Sequence, residues 1–147
     1  MNDQPEAVVR RFFDLFDKGD LPAIKGLLDP EFEWIYHGPP SLPWAGVYHG
    51  EVGFDRFFEI VRGLIRVREC VPYRFIAAGD EVVVLGVSRT DVIANGAEYE
   101  AQWMNVFTVR DGLIVRYLDL YDTATVVEAL QKSAGPTDSG PRQQRPA

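Results

Sequence analysis

Three turn dipeptides constrain this chain more than any other feature. Gly79-Asp80, Asn95-Gly96 and Asp111-Gly112 separate stretches of alternating character at roughly 67–78, 81–94 and 97–110, and a fourth stretch, holding VRYLDLYD at 115–122, follows. Asn-Gly and Asp-Gly supply the positive-φ pair that a two-residue hairpin turn requires. Together they predict a four-stranded antiparallel meander over the second half of the chain.

The first half reads differently. EAVVRRFFDLF, residues 6–16, places Val8, Val9, Phe12, Leu15 and Phe16 near one helical stripe. Gly19 can end that helix and Asp20 can cap a second, DLPAIKGLL. EFEWIYH, residues 31–37, alternates Phe32, Trp34 and Tyr36 against Glu31 and Glu33, as a strand does. GPPSLPWAGVYHG, residues 38–50, is broken by prolines and glycines and reads as a loop. EVGFDRFFEIVRGL, residues 51–64, returns to helical spacing, and ATVVEALQK, residues 124–132, reads as a short closing helix. Helices segregated from a long meander mean α+β. Such a sheet, curved around the first helix, would leave a pocket between them. Residues 1–132 form one domain on this reading, and SAGPTDSGPRQQRPA, residues 133–147, reads as a disordered tail.

Charge narrows the partners. The net charge is −7, whereas a nucleic-acid surface or a lipid-docking surface should be basic. Cys70 is the sole cysteine, so no intrachain disulfide can form. No apolar run is long enough to span a bilayer, and MNDQPEAVVRR lacks the cationic start and apolar block of a secretory signal. The expected location is the cytoplasm. His37 and His49 have neither the spacing nor the companions of a metal site, so no metal or cofactor is expected.

VRYLDLYD, residues 115–122, poses the functional question. As a strand it places Leu113, Val115, Tyr117, Asp119 and Tyr121 on one face. A carboxylate within that apolar stripe costs several kcal/mol (roughly) unless paired or neutralised. Asp119 is therefore a misfit, a structural ion-pair partner, or a working acid or base. Two other stripes have similar interruptions. Val83, Leu85 and Val87 continue into Arg89 and Asp91. Tyr99, Ala101, Trp103, Phe107 and Val109 include Asn105 as their only polar member. If these faces line one concavity, Arg89, Asp91, Asn105 and Asp119 converge. Two nearby carboxyls with an intervening guanidinium would then suit paired proton transfer. The plainer alternatives are an exposed Arg89–Asp91 pair beside a turn, a hydrogen-bonded support role for Asp119, and an Asn105 bridging a strand irregularity.

The order of elements resembles the NTF2-like α+β cone, in particular its SnoaL-like branch. The resemblance is carried by Lys18-Gly19-Asp20 after the Phe-rich helix, PEFEW at 30–34, GPPSLPWAGVYHG at 38–50 and QWMNVFTVRDGLIVRYLDLYD at 102–122. It covers about residues 5–131. It implies a curved antiparallel sheet wrapped around a long N-terminal helix, with an internal pocket for a small apolar molecule. It also implies a homodimer through the outer sheet face, and Ile114, Leu118 and Leu120 would suit one. Asp119 matches the catalytic aspartate of SnoaL-like cyclases, and Asn105 stands where those enzymes often have a histidine. Arg89-Thr90-Asp91 with Asp119 resembles the Asp–Arg–Asp triad of limonene-epoxide-hydrolase-like enzymes, with Trp34 and Tyr36 at their water-positioning sites. The catalytic set on this reading is Asp119, Asp91 and Arg89. Trp34, Tyr36, His37, Trp44, Trp103, Asn105, Phe107 and Tyr117 are expected to contact the ligand. The implied function is a cofactor-independent acid–base enzyme of cyclase, isomerase or epoxide-hydrolase type. The alternative is a non-catalytic small-molecule binding or accessory dimeric module.

Overall fold

The computed structural model describes residues 4–133. The proposed tail lies outside the described residues, apart from Ser133. The elements run α1 (Pro5–Asp17), α2 (Leu21–Lys25), β1 (Leu28–Tyr36), β2 (Gly46–His49), α3 (Gly50–Arg62), β3 (Ile65–Ala78), β4 (Glu81–Val92), β5 (Glu98–Arg110), β6 (Leu113–Tyr121) and α4 (Thr123–Gln131). This is the expected α+β cone, with a curved, unclosed sheet of six strands in the order β2-β1-β6-β5-β4-β3. The four-strand meander is present as β3 to β6. Its last turn shows why Asp-Gly was needed: Asp111 has φ 53° and Gly112 φ 78°, the pair of left-handed residues that matches strand twist. β1 completes the sheet by pairing in parallel with β6, Trp34 beside Tyr117 and Tyr36 beside Asp119.

Besides β1, which begins at Leu28 and shortens the expected second helix, and the Asn95-Gly96 connection, which runs from Ile93 to Ala97 with a positive φ at Gly96 but not at Asn95, two local expectations change. Gly46–His49 is a strand, not loop, and pairs antiparallel with Glu33–Tyr36. Gly46 sits at φ 149° and so can start a strand straight out of the proline-rich segment. The second change is on β6. Val109 pairs with Ile114 but Thr108 pairs with Arg116, so Val115 is an extra residue in the ladder. This bulge turns Ile114 inward, where it is fully buried. Leu118 and Leu120 remain on the outer face, opposite Val106 and Met104.

Helices cover the concave face. α1 lays Phe12 against Phe107 and Tyr117, at centroid distances of 5.2 and 5.5 Å, and stacks Phe13 on Trp103 at 5.6 Å. α3 presses Phe57 onto Trp34 at 3.8 Å. Such aromatic contacts add roughly 0.5–1.5 kcal/mol each beyond burial. Trp103 needs a gap opposite it. Gly86 on β4 supplies that gap, because any Cβ there would overlap the indole. At the far end, Asn95 Nδ2 donates to the carbonyls of Ala129 and Lys132, both at 2.9 Å, and ties the β4–β5 turn to the end of α4. Among the described residues no helix is long and apolar enough to cross a membrane.

Candidate functional site

Asp119 lies inside. It is 3% exposed and faces the concavity from β6. The register places Asn105 of β5 on one side of it and Tyr36 of β1 on the other. Asn105 Nδ2 donates to Asp119 Oδ1 at 2.8 Å, and Trp34 Nε1 donates to Asp119 Oδ2 at 3.2 Å. Tyr117 Oη in turn donates to Asn105 Oδ1 at 3.3 Å. The strand pairing that builds the sheet thus also supplies the carboxyl with its donors.

These contacts soften the cost of burial without cancelling it. Desolvation pushes the Asp119 carboxyl up from 3.8 to about 7, while the hydrogen bonds from Trp34 and Asn105 and the nearby Tyr117 hydroxyl pull the other way. Asp119 is therefore poised to gain or lose a proton near neutrality. Its charge, after burial, also raises the phenols of Tyr36, Tyr117 and Tyr121. They are neutral hydrogen-bonding groups at ordinary pH. Burial likewise raises the Cys70 thiol to about 11, so it is not a ready nucleophile.

The cavity in front of Asp119 is narrow, about 80 Å³. Its walls are aromatic: Phe12, Phe13 and Phe16 from α1, Phe57 and Phe58 from α3, and Trp34, Tyr36, Trp103, Tyr117 and Tyr121 from the sheet. Among the described residues that line it there is no lysine, arginine or histidine. Ser88 Oγ and Tyr121 Oη lie 3.2 Å apart and share a hydrogen bond. Trp103 Nε1 is buried with no hydrogen-bond partner among the described residues.

The expected Asp–Arg–Asp triad does not assemble. The buried positions of β4 are Val82, Val84, Gly86, Ser88, Thr90 and Val92. Arg89 and Asp91 stand on the opposite, outer face. Arg89 is exposed and lies 3.5 Å from Glu100 and 3.9 Å from Glu69. Asp91 pairs with Arg68 at 3.1 Å. The error came from the face assignment. EVVVLGV is apolar on both faces, so alternation alone does not say which side is core. The Gly86–Trp103 fit and the small polar residues Ser88 and Thr90 mark the inner side.

Of the expected ligand contacts, Trp34, Tyr36, Trp44, Trp103, Asn105 and Tyr117 line the cavity. Trp44 is 2% exposed and meets Tyr36 edge-on at 6.2 Å; the loop holding it is tied down by Tyr48 Oη donating to the Trp44 carbonyl at 2.8 Å. Phe107 is fully buried but packs behind Tyr117 as core, at 4.5 Å. His37 is exposed and borders a surface hollow of the proline-rich segment instead. Its backbone N–H donates to the Asp119 carbonyl at 3.2 Å, which continues the β1–β6 ladder and leaves the imidazole outside. Sequence reasoning missed the phenylalanines of α1 and α3 as walls, and also Cys70, Thr90 and Tyr99. Tyr121, two residues beyond Asp119 on the same face, lines the cavity as its place on that stripe suggests.

Comparison with known proteins accords with this geometry. No curated protein matches the chain. Among solved structures, an NTF2-like protein of unknown function from Burkholderia pseudomallei is 26% identical, with a TM-score of 0.79 over 87% of this chain and 98% of that one. An NTF2-like protein from Burkholderia thailandensis is 24% identical, with a TM-score of 0.82 over 88% and 99%. TerC, solved in co-crystals with polyporic acid, is 25% identical, with a TM-score of 0.75 over 87% and 98%. The SnoaL-like domain matches residues 9–117, which takes in Trp34, Asn105 and Tyr117 and stops just short of Asp119. By that match, this chain belongs to the SnoaL-like domain family.

Proposed function

We propose that this chain is a cofactor-independent acid–base enzyme of cyclase or isomerase type, acting on a small, flat, neutral molecule with Asp119 as the group that moves the proton. One observation carries the reading. A fully enclosed carboxyl, brought to about 7 by burial, stands in an aromatic cavity between two hydrogen-bond donors. A general acid or base works best when its pKa lies near the working pH. The aromatic walls favour a flat ligand. The lack of a cation among the described lining residues disfavours an anionic one. Trp103 Nε1 offers a donor to a ligand oxygen. The TerC co-crystal with polyporic acid supports a small organic ligand for the fold. Epoxide hydrolysis by an Asp–Arg–Asp set is set aside, because Arg89 and Asp91 are on the other side of the sheet.

A second reading has its own support. The cavity of about 80 Å³ is small for turnover of a polycyclic molecule, and a binding module would need no chemistry at Asp119. One experiment separates the two. Hydroxylated aromatic ketones and quinones are screened for spectral change with wild-type protein and with Asp119→Asn. Turnover that falls by at least about 100-fold in the variant, with ligand binding kept, supports the enzyme. Binding that is equal in both, with turnover in neither, supports the module.

We also propose that a second copy of the chain covers the outer sheet face. That face carries Val71, Val87, Met104, Val106, Leu118 and Leu120, and Val71 and Met104 are exposed at 43% and 36%.

A further inference from the structure

We propose that Tyr117 is a positioning residue for Asp119: its hydroxyl holds the Asn105 amide in the orientation that donates to the carboxyl. The use of this arrangement in turnover rests on the reading of Asp119 as the acid–base group, but the arrangement itself is testable without a substrate. An asparagine side chain has nearly the same shape in both amide orientations, and its hydrogen-bond partners decide between them. Here the oxygen takes the Tyr117 hydroxyl at 3.3 Å and the nitrogen faces Asp119 at 2.8 Å. The reverse orientation would set an amide oxygen against a carboxylate oxygen, acceptor against acceptor. Tyr117 thus feeds a chain of donors, Tyr117 to Asn105 to Asp119, that stabilises the ionised carboxyl.

Burial makes the chain hard to replace. Asn105, Asp119 and Tyr117 are 2%, 3% and 7% exposed, so removing the phenol hydroxyl leaves the amide oxygen without its protein partner. Tyr117 is itself fixed. Its ring is stacked between Trp34 at 4.8 Å and Phe107 at 4.5 Å, and Phe12 meets its edge at 5.5 Å. The other titratable groups that line this site are Tyr36 from β1, Cys70 from β3, Tyr99 from β5 and Tyr121 from β6. All four are raised by burial and neutral near pH 7. α1 and α3 present phenylalanines. No described charged side chain lining the cavity competes with Asn105 for Asp119.

The Asp119 carboxyl-carbon resonance, followed by NMR across pH in wild type and in Tyr117→Phe, tests this directly. The midpoint should rise by about one pH unit in the variant, the size of one hydrogen bond to a charged group. In the wild-type protein the Asn105 side-chain amide nitrogen should titrate with the same midpoint as Asp119, a measurement that holds even if the variant folds poorly. A midpoint that stays or falls in Tyr117→Phe, or an Asn105 amide blind to the titration, overturns the proposal. If a substrate is in hand, the pH–rate profile of Tyr117→Phe should shift with the NMR midpoint. Turnover that survives Asp119→Asn removes the acid–base reading and leaves the NMR result standing.

Discussion

Trp34 Nε1 donates to Asp119 Oδ2 across the only parallel strand pair in the described sheet, at 3.2 Å. An indole can donate but not accept, so this contact is stronger to the ionised carboxyl than to the neutral one. Trp34→Phe should therefore raise the Asp119 midpoint above about 7. The same NMR titration checks it, and a midpoint that falls would mean that the indole is not acting as a donor.

Stability should depend on pH with an unusual sign. The folded-state pKa of Asp119 is raised, from 3.8 to about 7. Between those values the folded protein holds a proton that the unfolded chain has lost, so stability falls as pH climbs from about 4 to 7. Below that window both states are protonated and the penalty is absent; above it the penalty is complete. Its size is on the order of 4 kcal/mol. Asp119→Asn removes that dependence but leaves one of the two donors poorly matched, at a cost of roughly 1–3 kcal/mol. Urea unfolding at pH 8.5 should find the variant more stable than wild type, and the difference should shrink or reverse at pH 4.5.

Arg89 is the control for the site. It is exposed on the outer face with acidic neighbours at 3.5 Å and beyond. Pairs of that kind contribute about 0–1 kcal/mol. Arg89→Ala should leave turnover and ligand affinity unchanged and shift the urea midpoint little. Loss of function in that variant would require Arg89 to act on the cavity from the wrong side of the sheet.

Gly86→Ala tests the packing that opens the cavity. A methyl there overlaps the Trp103 ring, against rigid strand backbone. Overpacking of this kind costs about 1–3 kcal/mol. The near-UV circular dichroism of Trp103 should change along with the unfolding midpoint, whereas an unchanged spectrum would mean that the ring has room to move.

Leu118→Glu tests the outer face. Leu118 pairs with Val106 and carries no part of the cavity. Sedimentation should find the wild type as a dimer and the variant as a monomer with its secondary structure intact. A wild type that sediments as a monomer would remove the proposed second copy.

Much of this architecture was legible before any coordinates. Asp111-Gly112 dictated its turn because few residue pairs tolerate such backbone angles, whereas at Asn95-Gly96 only the glycine has a positive φ and the connection runs from Ile93 to Ala97. The stripe Tyr99-Ala101-Trp103-Asn105 pointed inward because its alternate residues, Glu98, Glu100 and Gln102, are polar. Asp119 was traceable for the same reason, as a carboxyl among aromatics. β4 was misread because valines occupy both of its faces, and what tells them apart is a partner on another strand, the Trp103 ring over Gly86. β2 was hidden behind the proline-rich segment that precedes it, since four residues are too few to show a period. The Tyr117–Asn105–Asp119 chain depends on strand register, which no single strand encodes.

The extra residue at Val115 acts like a frameshift in the sheet. Upstream of it Ile114 looks inward, and downstream Tyr117, Asp119 and Tyr121 do. If Val115 instead took a regular place in a ladder that kept Ile114 opposite Val109, leucines 118 and 120 would face the hollow and the carboxyl would be turned out to water. One surplus peptide unit thereby lets Ile114 and Asp119 face the same interior.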